Sequence, residues 1–198
     1  MAVDASDMRL VHRVFRREFH DLPRLIADVP NGDTTRAKVV AAHLIFMVDA
    51  LHHHHAAEDD LAWPVLLVRA PTQRAGILRM ETQHGGIANA ISRVQSDLSA
   101  WTKTADPPSR DRLRAAADEL SRRVVEHLDD EEQNGVPLIE EHLTAREWQA
   151  AIKRGAAFLW SHPRLAIVLG GLIVDYASPE ERASFVAGVP QPQRFPRR

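Results

Sequence analysis

Two short runs of this chain repeat one chemical device. His54 and Glu58 stand four residues apart, and so do His127 and Glu131; a proline, Pro64 or Pro137, follows each glutamate six residues later. On a helix, such a pair shares one face, a single turn apart. Two further histidines, His12 and His84, stand alone among regularly spaced apolar residues. Imidazoles and carboxylates on buried faces are costly unless they are hydrogen-bonded or bound to something. A shared metal centre removes that cost for all six side chains together. Mixed imidazole and carboxylate donors suit iron or manganese, and the chain has no cysteine to offer a thiolate. The repeated His-x3-Glu pair implies a pseudo-twofold site for two metals, each taking imidazoles from its half, with Glu58 and Glu131 as bridges.

Four helices must hold these groups. Their apolar stripes read Met8-His12-Phe15-Phe19-Leu22, Met47-Leu51-His54-Glu58-Leu61-Val65, Ile77-Met80-His84-Ile87-Ile91-Val94-Leu98-Trp101 and Leu113-Ala117-Leu120-Val124-His127-Glu131. Steps alternating between three and four residues mark helix faces turned to a bundle core. The spacing predicts helices over 6–28, 34–69 and 72–101, and a fourth from about 109 that weakens at Asn134-Gly135. Short polar turns predict antiparallel neighbours and an up-down-up-down course. At ~1.5 Å of rise per residue, His12, His54, Glu58, His84, His127 and Glu131 fall at one height, within about a turn. The expected fold is an all-α, up-down-up-down four-helix bundle over 1–143, with a helical extension over 144–189 packed on it and a disordered tail over 190–198.

In the extension, Thr144 and Glu147 form a capping-box pattern, Pro163 interrupts the chain, and Ser178-Pro179-Glu180-Glu181 opens a last helix. Formal net charge is −2 with no long basic block, so nucleic acid binding has no electrostatic support. The ten apolar residues from Leu165 to Val174 fall short of the ~20 that cross a bilayer, so no membrane partner is expected. The acidic start lacks the pattern of a signal peptide, and the absence of cysteine fits a reducing compartment; a cytoplasmic location is expected.

The order His12, His54-x3-Glu58, His84, His127-x3-Glu131 resembles the hemerythrin-like family, the HHE cation-binding proteins, in a bacterial form with the H-HxxxE-H-HxxxE motif. The segments HHHHAAEDDLAWPVL and EHLDDEEQNGVPLI share that look, and the resemblance spans residues 6–143. It implies a non-heme diiron centre of two iron ions with an oxo or hydroxo bridge, ligated by His12, His54, Glu58, His84, His127 and Glu131. One departure matters. Oxygen-carrying members have a second histidine on the third helix, one turn before the conserved one, where this chain has Met80. That loss implies one iron more open, favouring reaction with peroxide, nitric oxide or oxygen over reversible oxygen carriage.

The remaining polar residues receive plainer readings. His52, His53 and His55 fall off the seam that carries His54 and are expected at the surface or behind the ligands, His53 being nearest the stripe. His43, His142 and His162 read as structural or exposed. Asp59, Asp60, Asp129, Asp130 and Glu132 read as a solvated acidic rim. No independent general base or nucleophile stands out, so enzyme and sensor both stay open. The expected partners are small molecules, hydrogen peroxide (catalase-like turnover in oxidative stress), nitric oxide or oxygen. The alternatives are an O2 or NO sensor without turnover, or a protein of iron homeostasis; self-association is open.

Overall fold

A computed structural model of the chain describes residues 3–188, so the expected tail over 190–198 lies outside the described residues. Among those residues every regular element is helical. Four long helices form the bundle: α1 (Ser6–Ala27), α2 (Thr34–Leu61), α4 (Arg74–Thr104) and α5 (Pro107–Asp130). Short α3 (Trp63–Arg69) continues the line of α2, and α6 (Val136–His142) follows α5. The extension comprises α7 (Ala145–Ala156), α8 (Pro163–Tyr176) and α9 (Pro179–Gly188), with a 3-10 turn, Ala157–Ser161, between the first two.

Local chemistry sets the helix starts. The Asp33 and Asp106 carboxylates accept from the N–H groups of Arg36 and Ser109, at 2.8 and 2.9 Å, satisfying donors that a first turn leaves free. Thr144 and Glu147 make the reciprocal capping box read from the sequence. Gly32, at φ +79°, reverses the chain between α1 and α2, and its N–H donates to the Ala105 carbonyl at 3.0 Å. That bond ties the α1–α2 turn to the α4–α5 turn, so both lie at one end of the bundle, as an up-down-up-down course requires.

The two His-x3-Glu runs leave their helices differently. After Glu58 the helix breaks at Ala62 and restarts with Pro64 in its first turn. After His127 the backbone instead widens into a five-residue π turn, Glu131–Gly135, before Pro137 enters α6. Such turns cluster at functional sites because they re-aim a side chain. A proline ahead removes a backbone donor in both cases.

Two apolar clusters fill the bundle. One contains Phe15, Phe19, Leu44, Met47, Leu51, Val94, Trp101 and Leu120; the other contains Met8, Trp63, Leu66, Ile77, Met80, Val136 and Trp148. Between them lies a buried polar layer: His12, His55, Glu58, His84, His127 and Glu131, with His54 half-buried. The extension packs chiefly through α7 on α2 and α8 on α1. The Arg13 guanidinium clamps it, donating to both oxygens of Glu181 at 2.8 and 2.9 Å and to the Tyr176 carbonyl.

Candidate metal centre

The six residues singled out in the sequence meet in the polar layer, in two crossed pairs. His12 from α1 faces His54 from α2, Nε2 to Nε2 at 3.1 Å, and His84 from α4 faces His127 from α5 at the same separation. The carboxylates span the pairs. Glu131 Oε2 lies 3.4 Å from His12 Nε2 and 3.3 Å from His127 Nε2. Glu58 lies 3.1 Å from His54 Nε2 and 3.6 Å from His84 Nε2.

The outer ring nitrogens show what those inner atoms are. His84 Nδ1 meets Asp59 at 2.8 Å, and His12 Nδ1 meets Glu132 at 3.1 Å. His127 Nδ1 meets the Gln83 amide oxygen at 3.0 Å; the Gln83 NH2 is turned to the Asp130 carboxylate at 2.9 Å, which fixes the amide's orientation. Carboxylate and amide oxygens accept, so the Nδ1 atoms of His12, His84 and His127 donate and, in the neutral ring, their Nε2 atoms carry a lone pair. At His84 and His127 two such lone pairs stand 3.1 Å apart and repel unless something lies between them. Ligands at right angles on one ion, each ~2.1 Å from it, stand about 3 Å apart.

Asp59 and Glu132 therefore do more than form a solvated rim, the role expected for them. Each directly follows a glutamate of a His-x3-Glu pair and reaches across to a lone histidine of another helix. Arg16 in turn holds Glu132 at 3.0 Å, and Arg79 holds Asp130 at 2.7 Å. Oriented imidazoles of this kind are the usual support of a metal ligand.

His55 corrects the reading that only His54 lies on the seam. It is buried, stacks on His84 with ring centres 4.0 Å apart, and stands edge-on to His127 at 4.9 Å. Its signal was present as a second stripe, Leu44-Val48-Leu51-His55-Glu58-Ala62, every member of which is buried. His53, expected behind the ligands, instead stacks on Phe158 of the 3-10 turn, with ring centres 4.7 Å apart. His43 donates to Glu18, while His52 and His162 are exposed. Met80 lies in the apolar cluster beside the layer. α2 thus places a third imidazole, His55, beside His84 and His127.

Five buried polar atoms in this layer lack a hydrogen-bond partner: His55 Nε2 and all four carboxylate oxygens of Glu58 and Glu131. Burial and then the neighbouring His12 lower His54 to about 3, and burial and then His84 push His55 well below its ordinary value. Burial and then Glu131 push Glu58 well above the usual carboxylate range. These three directions reflect the cost of burying a charged group. Two donor groups emerge, His12-His54-Glu58-Glu131 and His55-His84-His127, the ligand atoms within each group lying within 4.8 Å of one another. The residues fit a pair of cations.

Residues 3–139 match the hemerythrin family, described as the hemerythrin HHE cation binding domain. The chain belongs to that family. No curated protein and no solved structure matches it. The matched span contains all seven inward-facing groups and the three residues that orient their outer nitrogens, whereas α7, α8 and α9 lie beyond it.

Proposed function

We propose that this chain holds two iron ions in the polar layer and reacts with small oxidants or gases, hydrogen peroxide first. The observation that carries the reading is the convergence of five imidazoles and two unpartnered carboxylates in a buried layer of a cation-binding domain. His12 and His54 would hold one ion and His55, His84 and His127 the other, with Glu58 and Glu131 available to both groups. A bound iron pair supplies a two-electron couple, as two molecules of peroxide giving two of water and one of dioxygen require. Asp59, Glu132 and Gln83 keep the imidazoles turned inward, and the two apolar clusters exclude bulk water. In the metal-free chain burial and Glu131 bias Glu58 towards its protonated form, and binding of the ions would release that proton.

The test is metal analysis followed by oxygen-electrode measurement on the iron-loaded protein. Two irons per chain and oxygen release well above that of free iron support the proposal. Zinc as the sole metal overturns the iron assignment, and a rate equal to that of free iron overturns the peroxide reaction. A sensing role has one observation in its favour, the stack of His53 on Phe158, which joins the turn bearing His54 to the extension. A spectral response to nitric oxide without peroxide turnover selects that role.

A further inference from the structure

A cavity of about 390 Å³ opens between the bundle and the extension. Its walls come from α1, α2, α7, the 3-10 turn, α8 and α9, and most of them are alanine, leucine, isoleucine, valine or phenylalanine. At ~30 Å³ per heavy atom of liquid water, this space holds on the order of a dozen heavy atoms. Peroxide, dioxygen and nitric oxide have two each. The volume falls in the range of small-molecule pockets, ~300–1,000 Å³, and a cavity with apolar walls takes up apolar molecules more readily than water.

The space exists because small residues face it from opposite sides. Ala50 and Ala57 line it from α2, and Ala166 and Gly170 from α8. A Cβ added at Gly170 meets nothing within 4 Å. The cavity also has a definite polar end, because His54 and Glu58 form part of its wall and Glu58 has both oxygens buried and unpartnered. The other ionisable lining residue is Asp7, which accepts from Trp148 Nε1 at 3.2 Å; no lysine or arginine among the described residues lines the space. An anionic head drawn between these apolar walls would lose its hydration without a lysine or arginine to replace it.

We infer that this cavity binds a neutral, apolar organic molecule of about a dozen heavy atoms, such as a medium-chain alcohol, with one end against His54 and Glu58. Only its link to the metals rests on the reading of those two residues as ligands; binding itself does not. The substrate or effector range of the centre then includes an organic molecule delivered from the side of the extension, a class that a gas-sized channel cannot accept.

The experiment uses the purified full chain, metal content measured, and the neutral fluorophore 1-aminoanthracene. Its fluorescence should rise to saturation at one site per chain. 1-Decanol should displace it, and decanoate at neutral pH should do so at least ten-fold more weakly when both are compared on the chelator-treated, metal-free chain. Gly170→Phe, from α8, and Ala50→Leu, from α2, should each weaken binding at least ten-fold while metal content and helical circular dichroism hold. Absence of saturable binding overturns the inference, as does binding indifferent to both substitutions. Decanoate as tight as decanol overturns the preference for a neutral guest. Decanol binding by a chain that takes up no iron retains the cavity and rejects the diiron reading. A decanol-induced shift in the iron absorption bands supports both.

Discussion

His54 belongs to two neighbourhoods of opposite character. On the bundle side it joins six other imidazole or carboxylate groups, several of whose atoms lack a partner in a buried layer. On the extension side it forms part of the wall of a cavity in which nearly every surface is hydrocarbon. The first neighbourhood is made by placing expensive groups: each buried imidazole or carboxylate requires compensation, so its residue type and spacing are constrained. The second is made by omission, where alanine and glycine face a gap between helices. A polar site leaves a strong mark in a sequence and an apolar one leaves a weak mark, because small residues also serve ordinary helix packing.

The largest predicted effect tests the polar side. Glu131 faces His12 and His127, one from each pair, so Glu131→Ala should lose both metals in metal analysis. Retention of two would remove the bridging role. His55→Ala should be selective, emptying or weakening the His84–His127 half while one metal remains. Equal loss from both halves, or none, would deny His55 its place in that group.

Next in size are the residues that only orient. Asp59→Ala and Glu132→Ala should each weaken metal affinity by about 10–100-fold, measured by competition with a chelator, without abolishing binding. Gly135→Ala follows, because its new Cβ would lie 3.0 Å from Glu131 Cγ and 3.3 Å from Trp63 Cη2. A loss of ~1–3 kcal/mol in stability is expected by overpacking, read in chemical denaturation of the metal-free protein.

The smallest effect lies on the extension side. Tyr176 donates to Glu18 Oε1 at 2.7 Å, and His43 meets the other oxygen of Glu18. Burial, and then this hydrogen bond, push the Tyr176 phenol from 10.0 up to about 12. The folded chain therefore keeps that proton longer than the unfolded chain. The stability it contributes is complete below pH 10 and drains away as the pH climbs towards 12. Tyr176→Phe should flatten this part of the stability-against-pH curve, and an unchanged slope would deny the Tyr176–Glu18 hydrogen bond its contribution to stability.

Much of the bundle was legible because its signals are local. The caps at Thr144 and Glu147 and the four stripes involve neighbours within a turn or two, where backbone geometry alone relates them, whereas the helix expected unbroken over 34–69 is interrupted at Ala62. The common height of His12, His54, Glu58, His84, His127 and Glu131 followed from turn positions and a fixed rise per residue. The π turn at Glu131–Gly135 was visible only as a weakening at Asn134-Gly135, since a helix and its widened form share most of their residue preferences.

What stayed hidden depended on which helix docks where. α2 faces α1 and α4 on one side and α7 on another, so its buried arc is wider than one stripe and takes in His55 together with His54. Periodicity ranks residues around a helix, but the number of partners sets how far round burial extends. Asp59 and Glu132 found their histidines across the bundle, through contacts spanning 25 and 120 residues. Residue order thus settled the helices and the inward face that bears most of the polar layer. The third imidazole beside His84, the outer supports of the ring nitrogens and the apolar cavity awaited the packing of distant segments, because each is a relation between surfaces rather than a property of any one of them.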